Sequence, residues 1–338
     1  MKSRVKLADI AEQVGVTKMS VSLALRDDPS IGFEKRAEIQ RVAREMGYVP
    51  NRIARGLASG KTYTIAAVVG GSMHDDYHNQ VLLSATQYAM SCGYTLTIGL
   101  SNGDHEVELD LYRKFSEQMV DGYLIFHGGN PSPCHKLAQQ GAPFLLYTKY
   151  FPQENWNHVT CDDRLGGYML TKYLLSLGHR HIAFGHDGGQ NRSEVDNRIC
   201  GYRQALEEAG LPFREDFIIS VYRHPGTTEM GTEPLMALSP RPTAIFLGND
   251  VTAAMYYIAL KRDGLRIPED LSVVGYEGVY LGKMLDPPLT TITTPLVELG
   301  RTACARLIDM IESPAAREEV KKITLEPVLT IRNSAMRR

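Results

Sequence analysis

The sequence predicts an all-α head of three short helices, followed by an α/β core folded as two parallel-sheet lobes. Three observations carry this reading. Apolar residues in the first fifty positions recur at helical spacing and are interrupted by Gly15, Gly47 and Pro50. From residue 64 onward, short apolar runs alternate with longer helical ones, and the alternation is played through twice. Charge is divided in the same place. Residues 1–61 hold 12 Lys/Arg against 7 Asp/Glu, a surplus of five, whereas the remainder holds 25 against 32, a deficit of seven. A basic head on an acidic body fits a polyanionic partner for the head.

In the head, Leu7, Ile10, Ala11 and Val14 stand at i, i+3, i+4 and i+7, one stripe of a helix over 7–14. Gly15 supplies the tight turn and Val16 fills the gap between helices. Thr17 is a suitable N-cap for a second helix over 18–25. Its Val21 and Leu25 point inward, and Lys18, Met19, Ser22 and Leu23 face out. A third helix over 33–46 gathers Ile39, Val42, Ala43 and Met46 on one face and ends on Gly47 as a left-handed cap. Two short helices joined by a glycine turn, the second with a polar outer face of mostly short side chains, form a helix-turn-helix. Thr17, Lys18, Ser20 and Ser22 at the start of that second helix are donors suited to the phosphates and base edges of double-stranded DNA. Pro50 then breaks away, and Asn51 can cap a short hinge helix over 51–61 that joins the head, 1–50, to the core, 62–338.

In the core, strands are expected over 64–69, 95–98, 123–126 and 144–147, with helices over 80–92 and 106–120. The second half repeats the rhythm. Helices cover 165–177, 198–209 and 250–263, and strands cover 181–184, 243–247 and 272–276. Two successive parallel units of this size make two similar lobes, and the cleft between lobes is where a small ligand binds. Arg198, Asn249 and Glu277 are read as standing just after strands, at that cleft. A planar fork of donors, an amide with both donor and acceptor, and a pure acceptor could together hold the adjacent hydroxyls of a sugar or polyol.

Other classes of function find little support. Cys92, Cys134, Cys161, Cys200 and Cys304 are scattered, without a Cys-x-x-Cys pair, which predicts reduced thiols in a cytoplasmic protein. Residues 1–10 alternate charge and apolarity without a signal core, and no apolar run reaches membrane-spanning length. His74 and His78 are the one i, i+4 histidine pair considered, and without a third ligand a metal site is not expected. Gly70-Gly71-Ser72 lacks the form of a nucleotide phosphate cradle, so no cofactor is expected. With no nucleophile elbow or acid–base pair, no catalytic residue is assigned. The competing reading is a cytoplasmic small-molecule sensor that does not bind an operator. The basic head and the hinge argue against it.

Asp9-Ile10-Ala11, Gly15-Val16-Thr17, Val21-Ser22 and Gly47-Tyr48-x-Pro50-Asn51 resemble the head and hinge of the lactose/galactose repressor family. The resemblance continues through Gly178-His179-Arg180-His181-Ile182, Arg198-x-x-Gly201-Tyr202, Asn249-Asp250, the run from Gly264 to Tyr276, Pro288-Leu289-Thr290-Thr291-Ile292 and Pro327-Val328-Leu329-x-Ile331-Arg332-x-Ser334. It therefore covers nearly the whole chain and implies a periplasmic-binding-protein-like (type I) core. The implied crossings between lobes lie near Cys161, Thr293 and Ile323. They give an N-lobe of about 62–161 and 294–322 and a C-lobe of about 162–293 and 323–333.

The resemblance also implies roles. Arg198, Asn249 and Glu277 fall at effector positions, Glu277 in place of the usual Asp, with Asp250 beside them. Lys149 lies near the usual place of an Arg, and with Arg198 it points to an anionic variant of a carbohydrate-like effector. Asp76 and Tyr77, within the loop 74–78, are expected to offer a polar and an aromatic contact. In the head, Lys18 and Met19 would choose bases, and Leu23 replaces an Arg common in the family. In the hinge, Arg52 and Arg55 would meet phosphates and Leu57 would wedge between base pairs from the minor groove. The chain stops soon after Arg332 with no heptad helix, so a homodimer on a near-palindromic operator is expected rather than a tetramer.

Overall fold

The structure is a computed structural model that describes residues 5–48, 60–70, 76–126, 128–187, 193–222 and 230–338. The chain divides into two compact units, Met1–Thr62 and Tyr63–Arg338. The expected hinge residues Asn51, Arg52, Arg55 and Leu57 lie outside the described residues.

The first unit holds helices α1 (Leu7–Val14), α2 (Lys18–Ala24) and α3 (Phe33–Glu45). Ile10, Ala11, Val14, Val21, Ala24, Ile39, Val42 and Ala43 bury together as its core. The α1–α2 turn needs the left-handed backbone that Gly15 adopts at φ +69. Thr17 caps α2, its hydroxyl accepting from the Ser20 N–H at 3.1 Å. From α3, Gln40 donates to the Ala24 carbonyl, and Arg36 donates to the carbonyls of Asp27 and Asp28. These bonds tie down the loop that follows α2. Helix α2 stops one residue earlier than expected, and Leu25, its C-cap, is only partly buried while Ala24 is fully buried.

The second unit begins with β1 (Thr64–Val69), α4 (Asp76–Ser91), β2 (Thr95–Leu100), α5 (His105–Glu117), β3 (Gly122–Phe126), α6 (Ser132–Gln139), β4 (Phe144–Tyr147) and β5 (His158–Cys161). There follow α7 (Asp163–Ser176), β6 (Ile182–His186), α8 (Ser193–Glu208), β7 (Ile218–Ser220), α9 (Glu233–Met236), β8 (Ala244–Leu247), α10 (Asp250–Arg262), β9 (Ser272–Glu277), α11 (Tyr280–Met284) and β10 (Thr290–Thr293). The chain closes with α12 (Leu296–Glu312), α13 (Pro314–Glu318), β11 (Lys322–Leu325) and β12 (Val328–Thr330).

The strands form two six-stranded sheets, ordered β11-β5-β4-β3-β1-β2 and β12-β10-β9-β8-β6-β7. Among the described strands all pairs are parallel except β10 with β12. The chain passes between lobes after β5, after β10 and between β11 and β12. The third passage corrects the expectation near Ile323. Ile323 pairs with Val159 inside the first sheet, and the chain leaves only after Leu325.

Close helix crossings set the lobes' shape. A methyl placed on Gly300 of α12 would stand 2.1 Å from the Val81 carbonyl oxygen of α4. One on Gly201 of α8 would stand 2.0 Å from the Arg164 carbonyl, and one on Gly167 of α7 would stand 2.2 Å from the Arg198 carbonyl. Glycine alone allows α7 and α8 this contact, and the contact carries Arg198 to the start of α7.

Candidate functional site

In the head, the residues expected to face DNA divide by exposure. Lys18 is exposed and Met19 is 67% exposed, both free to reach a groove. Ser22 and Leu23 are half-buried. The Thr17 and Ser20 hydroxyls lie 2.9 Å apart and are engaged with each other in the cap.

Arg198 lies where the two lobes meet, its charge acting on Tyr77 of the other lobe. It is 3% exposed and lies in the second turn of α8, which corrects its expected place just after a strand. Its Nε donates to the Asp163 carboxylate at 2.8 Å, and Nη1 donates to the Gly248 carbonyl. Its guanidinium lies 3.8 Å from the centre of the Tyr276 ring. Burial pushes the Asp163 carboxyl up, and the Arg198 charge opposes that shift. From the other lobe, the Tyr77 phenol is 2.9 Å from the Thr148 hydroxyl, and burial raises its pKa well above the usual phenol range. The charges of Glu277, Asp163 and Arg198 all act on Tyr77, which brings the two lobes to one site.

Three expectations are corrected. Asp76 and Tyr77 belong to the first turn of α4 rather than to a loop. Asp76 accepts from Gln80 one turn on, and its charge suits the helix N-terminus. Tyr77 is buried and forms part of the cleft wall. Asp250 does not offer an oxygen to the cleft. It is fully buried, Oδ1 accepting from the Thr291 hydroxyl at 2.6 Å and Oδ2 from the Val279 N–H at 3.0 Å. It binds the β9–α11 turn to β10, and burial lifts its carboxyl to about 7. The pair of free cations expected for an anionic effector is also corrected. Arg198 is matched by Asp163, and Lys149 lies 3.4 Å from Glu194.

Asn249 caps α10, its Oδ1 accepting from the Thr252 N–H at 2.7 Å. Its amide N–H groups are what it has left for a ligand. Glu277 ends β9 at φ +103, and Thr148 follows β4 at φ +66. A non-glycine residue at positive φ on each side of one cleft is strain of the kind held at binding sites.

The sequence reading missed Asp163, Glu194, Thr148, Phe126 and Tyr276. Glu194 stands four residues before Arg198, so helical spacing alone places the two on one face. Asp163 carried no such signal, because its partner lies 35 residues away. Lys149 sits over the Phe126 ring, 4.6 Å from its centre. His78 lies 4.2 Å from that ring, and burial together with the Lys149 charge lowers its pKa to about 4. At the edge of the cleft, Asp76 and Gln80 of one lobe face Val251, Val279, Tyr280, Leu281 and Met284 of the other around a 640 Å³ cavity. Among the described residues no group of three or more His, Cys, Asp or Glu could hold a metal ion, and no helix is long and apolar enough to cross a membrane.

Comparison with known proteins agrees with this arrangement. Residues 6–51 match the Bacterial regulatory proteins, lacI family, and residues 171–335 match the Periplasmic binding protein-like domain. The chain is 30% identical over 328 residues to the Ribose operon repressor of Haemophilus influenzae, covering 97% of this chain and 98% of that protein. It is 32% identical over 336 residues to the HTH-type transcriptional regulator DegA of Bacillus subtilis, covering 96% of each. A solved complex of the transcriptional regulator CelR with cellobiose aligns at TM-score 0.71 and 25% identity over 98% of this chain and 100% of that one. A helix-turn-helix head, a two-sheet core with a polar cleft and full-length similarity to named regulators lead to one conclusion: the chain is a DNA-binding transcription regulator and belongs to the lacI family.

Proposed function

We propose that the protein represses an operon for the uptake or breakdown of a small polyhydroxylated molecule, which it senses between its two lobes. The observation that carries this reading is that the charges of Arg198 and Glu277 in one lobe act on Tyr77 of the other, with Lys149 beside Glu194 and Asn249 next in sequence to the Gly248 carbonyl that Arg198 holds. Donors, acceptors and aromatic walls at that spacing suit a molecule with several hydroxyls. The strained backbone of Glu277 and Thr148 supports the same place. The relatives agree in kind, one being named for the ribose operon and one solved with cellobiose.

The regulator works in the cytoplasm at the nucleoid, without catalytic activity, as a homodimer. The dimer reading rests on an apolar groove of 800 Å³ along α10 and α11, where Met255, Ile258, Leu281 and Met284 are exposed. Exposed apolar side chains gathered on one face suit contact with a second copy of the chain. Two heads then read a near-palindrome whose half-sites lie about one helical turn apart. Lys18 and Met19 choose bases, with Thr17, Ser20, Ser22 and Leu23 beside them. The hinge residues Asn51, Arg52, Arg55 and Leu57 keep the roles the family resemblance implies, with Leu57 kinking the duplex from the minor groove.

Selection from a random DNA library tests this reading. A two-fold symmetric motif is expected, and Leu57→Ala should lose it while keeping weak, salt-sensitive binding to any DNA. Enrichment of an asymmetric single half-site would overturn the dimeric operator. Unchanged operator affinity in Leu57→Ala would remove the wedge.

A further inference from the structure

Thr62 ends the first unit and Tyr63 opens the second, immediately before β1. Tyr63 stands at φ +54, a left-handed backbone that a bulky side chain rarely adopts. A residue that only extended β1 backward would keep a negative φ.

Its neighbours hold it in this conformation. The Asp121 carboxylate, 58 residues further on, accepts from the Tyr63 N–H at 2.6 Å. The Tyr63 carbonyl accepts from the Thr95 N–H at 2.9 Å. Its ring lies 5.5 Å from the ring of Tyr94, whose hydroxyl donates to the Glu312 carboxylate at the end of α12. Asp121 is fixed in turn. Its N–H donates to the Thr64 carbonyl at 2.8 Å. Gly122 behind it packs so tightly on α12 that a methyl there would stand 2.9 Å from Ile311 Cδ1. Tyr63, Tyr94 and Asp121 each stand immediately before a strand, β1, β2 and β3 in turn, whereas Thr148 of the cleft follows the end of β4. None of the three is among the residues expected to touch DNA or effector.

Strain of this kind persists only where the surroundings over-determine it, and it is typical of residues with a task. The task available to Tyr63 is orientation. Its φ sets the direction in which the preceding chain, which carries the DNA-binding head, leaves the core. A head on a tether of free direction loses more freedom on reaching its operator than one whose tether starts fixed. We infer that Asp121 is a positioning residue for DNA binding. It locks the Tyr63 backbone, and through it the direction of the chain that leads to the head.

Operator affinity and melting temperature, measured on the full chain with DNA selected by the unaltered protein, test this. Tyr63→Ala and Tyr63→Gly both lose the ring and differ only in backbone freedom. Glycine adopts φ +54 without strain, so the Gly variant should melt higher than the Ala variant. It should nevertheless bind the operator at least about threefold more weakly, because its backbone is freer before binding. A Gly variant that binds as well as the Ala variant or better has only a structural difference, and overturns the inference. Asp121→Ala should lower operator affinity about tenfold. Asp121→Asn, whose amide oxygen accepts from the same N–H, should restore most of it. An Asn variant as weak as the Ala variant overturns the inference, as does an Ala variant that binds like the unaltered protein. The Tyr63 pair decides should Asp121→Ala fail to fold. Affinity for unrelated DNA, set by the charge of the head, should be the same in all four variants. A matching fall there would place the defect in the head and overturn the positioning role.

Discussion

Arg198 shows how one residue can serve both stability and ligand binding. It is a buried cation held by Asp163, so its removal leaves Asp163 charged and unpaired in the interior. Breaking a buried pair in this way costs about 3–5 kcal/mol. Arg198→Ala should therefore lower the melting temperature of the core and abolish effector heat in calorimetry. Operator affinity should stay near that of the unaltered protein, because the head is a separate unit. Full effector heat in this variant would remove Arg198 from the site. His179 has a purely internal task. Its Nδ1 lies 2.8 Å from the Thr243 hydroxyl and its Nε2 lies 3.1 Å from the Met336 carbonyl oxygen. Burial lowers its pKa to about 4 from a usual 6.5. The unfolded chain is protonated first, so this residue's contribution is complete above pH 6.5 and is lost as pH falls toward 4. The loss amounts to about 3 kcal/mol. Asp250 runs the opposite way. Its folded pKa is raised to about 7 from 3.8, so its contribution is complete at acid pH and falls as pH rises through 7. The two are separated by His179→Gln. The melting-temperature gap to the unaltered protein should narrow from pH 7 to pH 4.5, and a gap independent of pH would show that His179 is not neutral when folded.

At the scale of elements, the α7–α8 crossing decides whether the cleft exists. A methyl on Gly201 would meet the Arg164 carbonyl oxygen at 2.0 Å and the Tyr168 nitrogen at 2.6 Å, both backbone atoms that cannot swing aside. Gly201→Ala should therefore push the helices apart, at a cost of about 3 kcal/mol. It should also loosen Arg198 from Asp163, because those residues sit on the two helices being separated. A lowered melting temperature together with weakened effector binding is expected, with operator binding retained. A lowered melting temperature with unchanged effector affinity would show that the crossing only adds stability. In the head, Leu23 is half-buried at the back of α2's exposed face, whereas Met19 projects. Leu23→Arg should shift the preferred base at one symmetric position of each half-site. An unchanged motif from library selection would take Leu23 off the reading surface.

At the scale of the whole molecule, the exposed apolar groove is the feature that a single copy leaves unexplained. Ile258 is 71% exposed and Met284 is 67% exposed, on α10 and α11 respectively. Placing a carboxylate on each side of such a seam forces two like charges together across the symmetric contact. Ile258→Glu with Met284→Glu should convert the proposed dimer to a monomer in light scattering. Operator affinity should then fall at least about a hundredfold, because each head alone holds one half-site. A variant that remains dimeric would move the interface elsewhere on the core.

Local patterning determined much of this protein. The stripe of Leu7, Ile10, Ala11 and Val14, the Thr17 cap and the left-handed glycines describe the head almost completely, because helix stripes, caps and turns depend on residues within a few positions of each other. The alternation after residue 64 carried the fold class, and Arg198 and Asn249 stood out through their motifs. Some elements were lost: β5 (His158–Cys161) and β7 (Ile218–Ser220) mix polar with apolar residues and show no continuous apolar run, and α12 (Leu296–Glu312) was not expected despite its length. Tertiary structure alone decided how the charges pair. Asp163 meets Arg198 across 35 positions, and Asp250 meets Thr291 across 41. Such distances are closed by the packing of helices and sheets, so no local pattern reveals whether a carboxylate faces a ligand or its own backbone. The third passage between lobes was misplaced for the same reason. Ile323 and its neighbours stay in the first sheet because their hydrogen bonds are made to His158–Cys161, some 160 residues earlier in the chain. Backbone pairing over that separation is a property of the folded lobe, and only the folded lobe displays it.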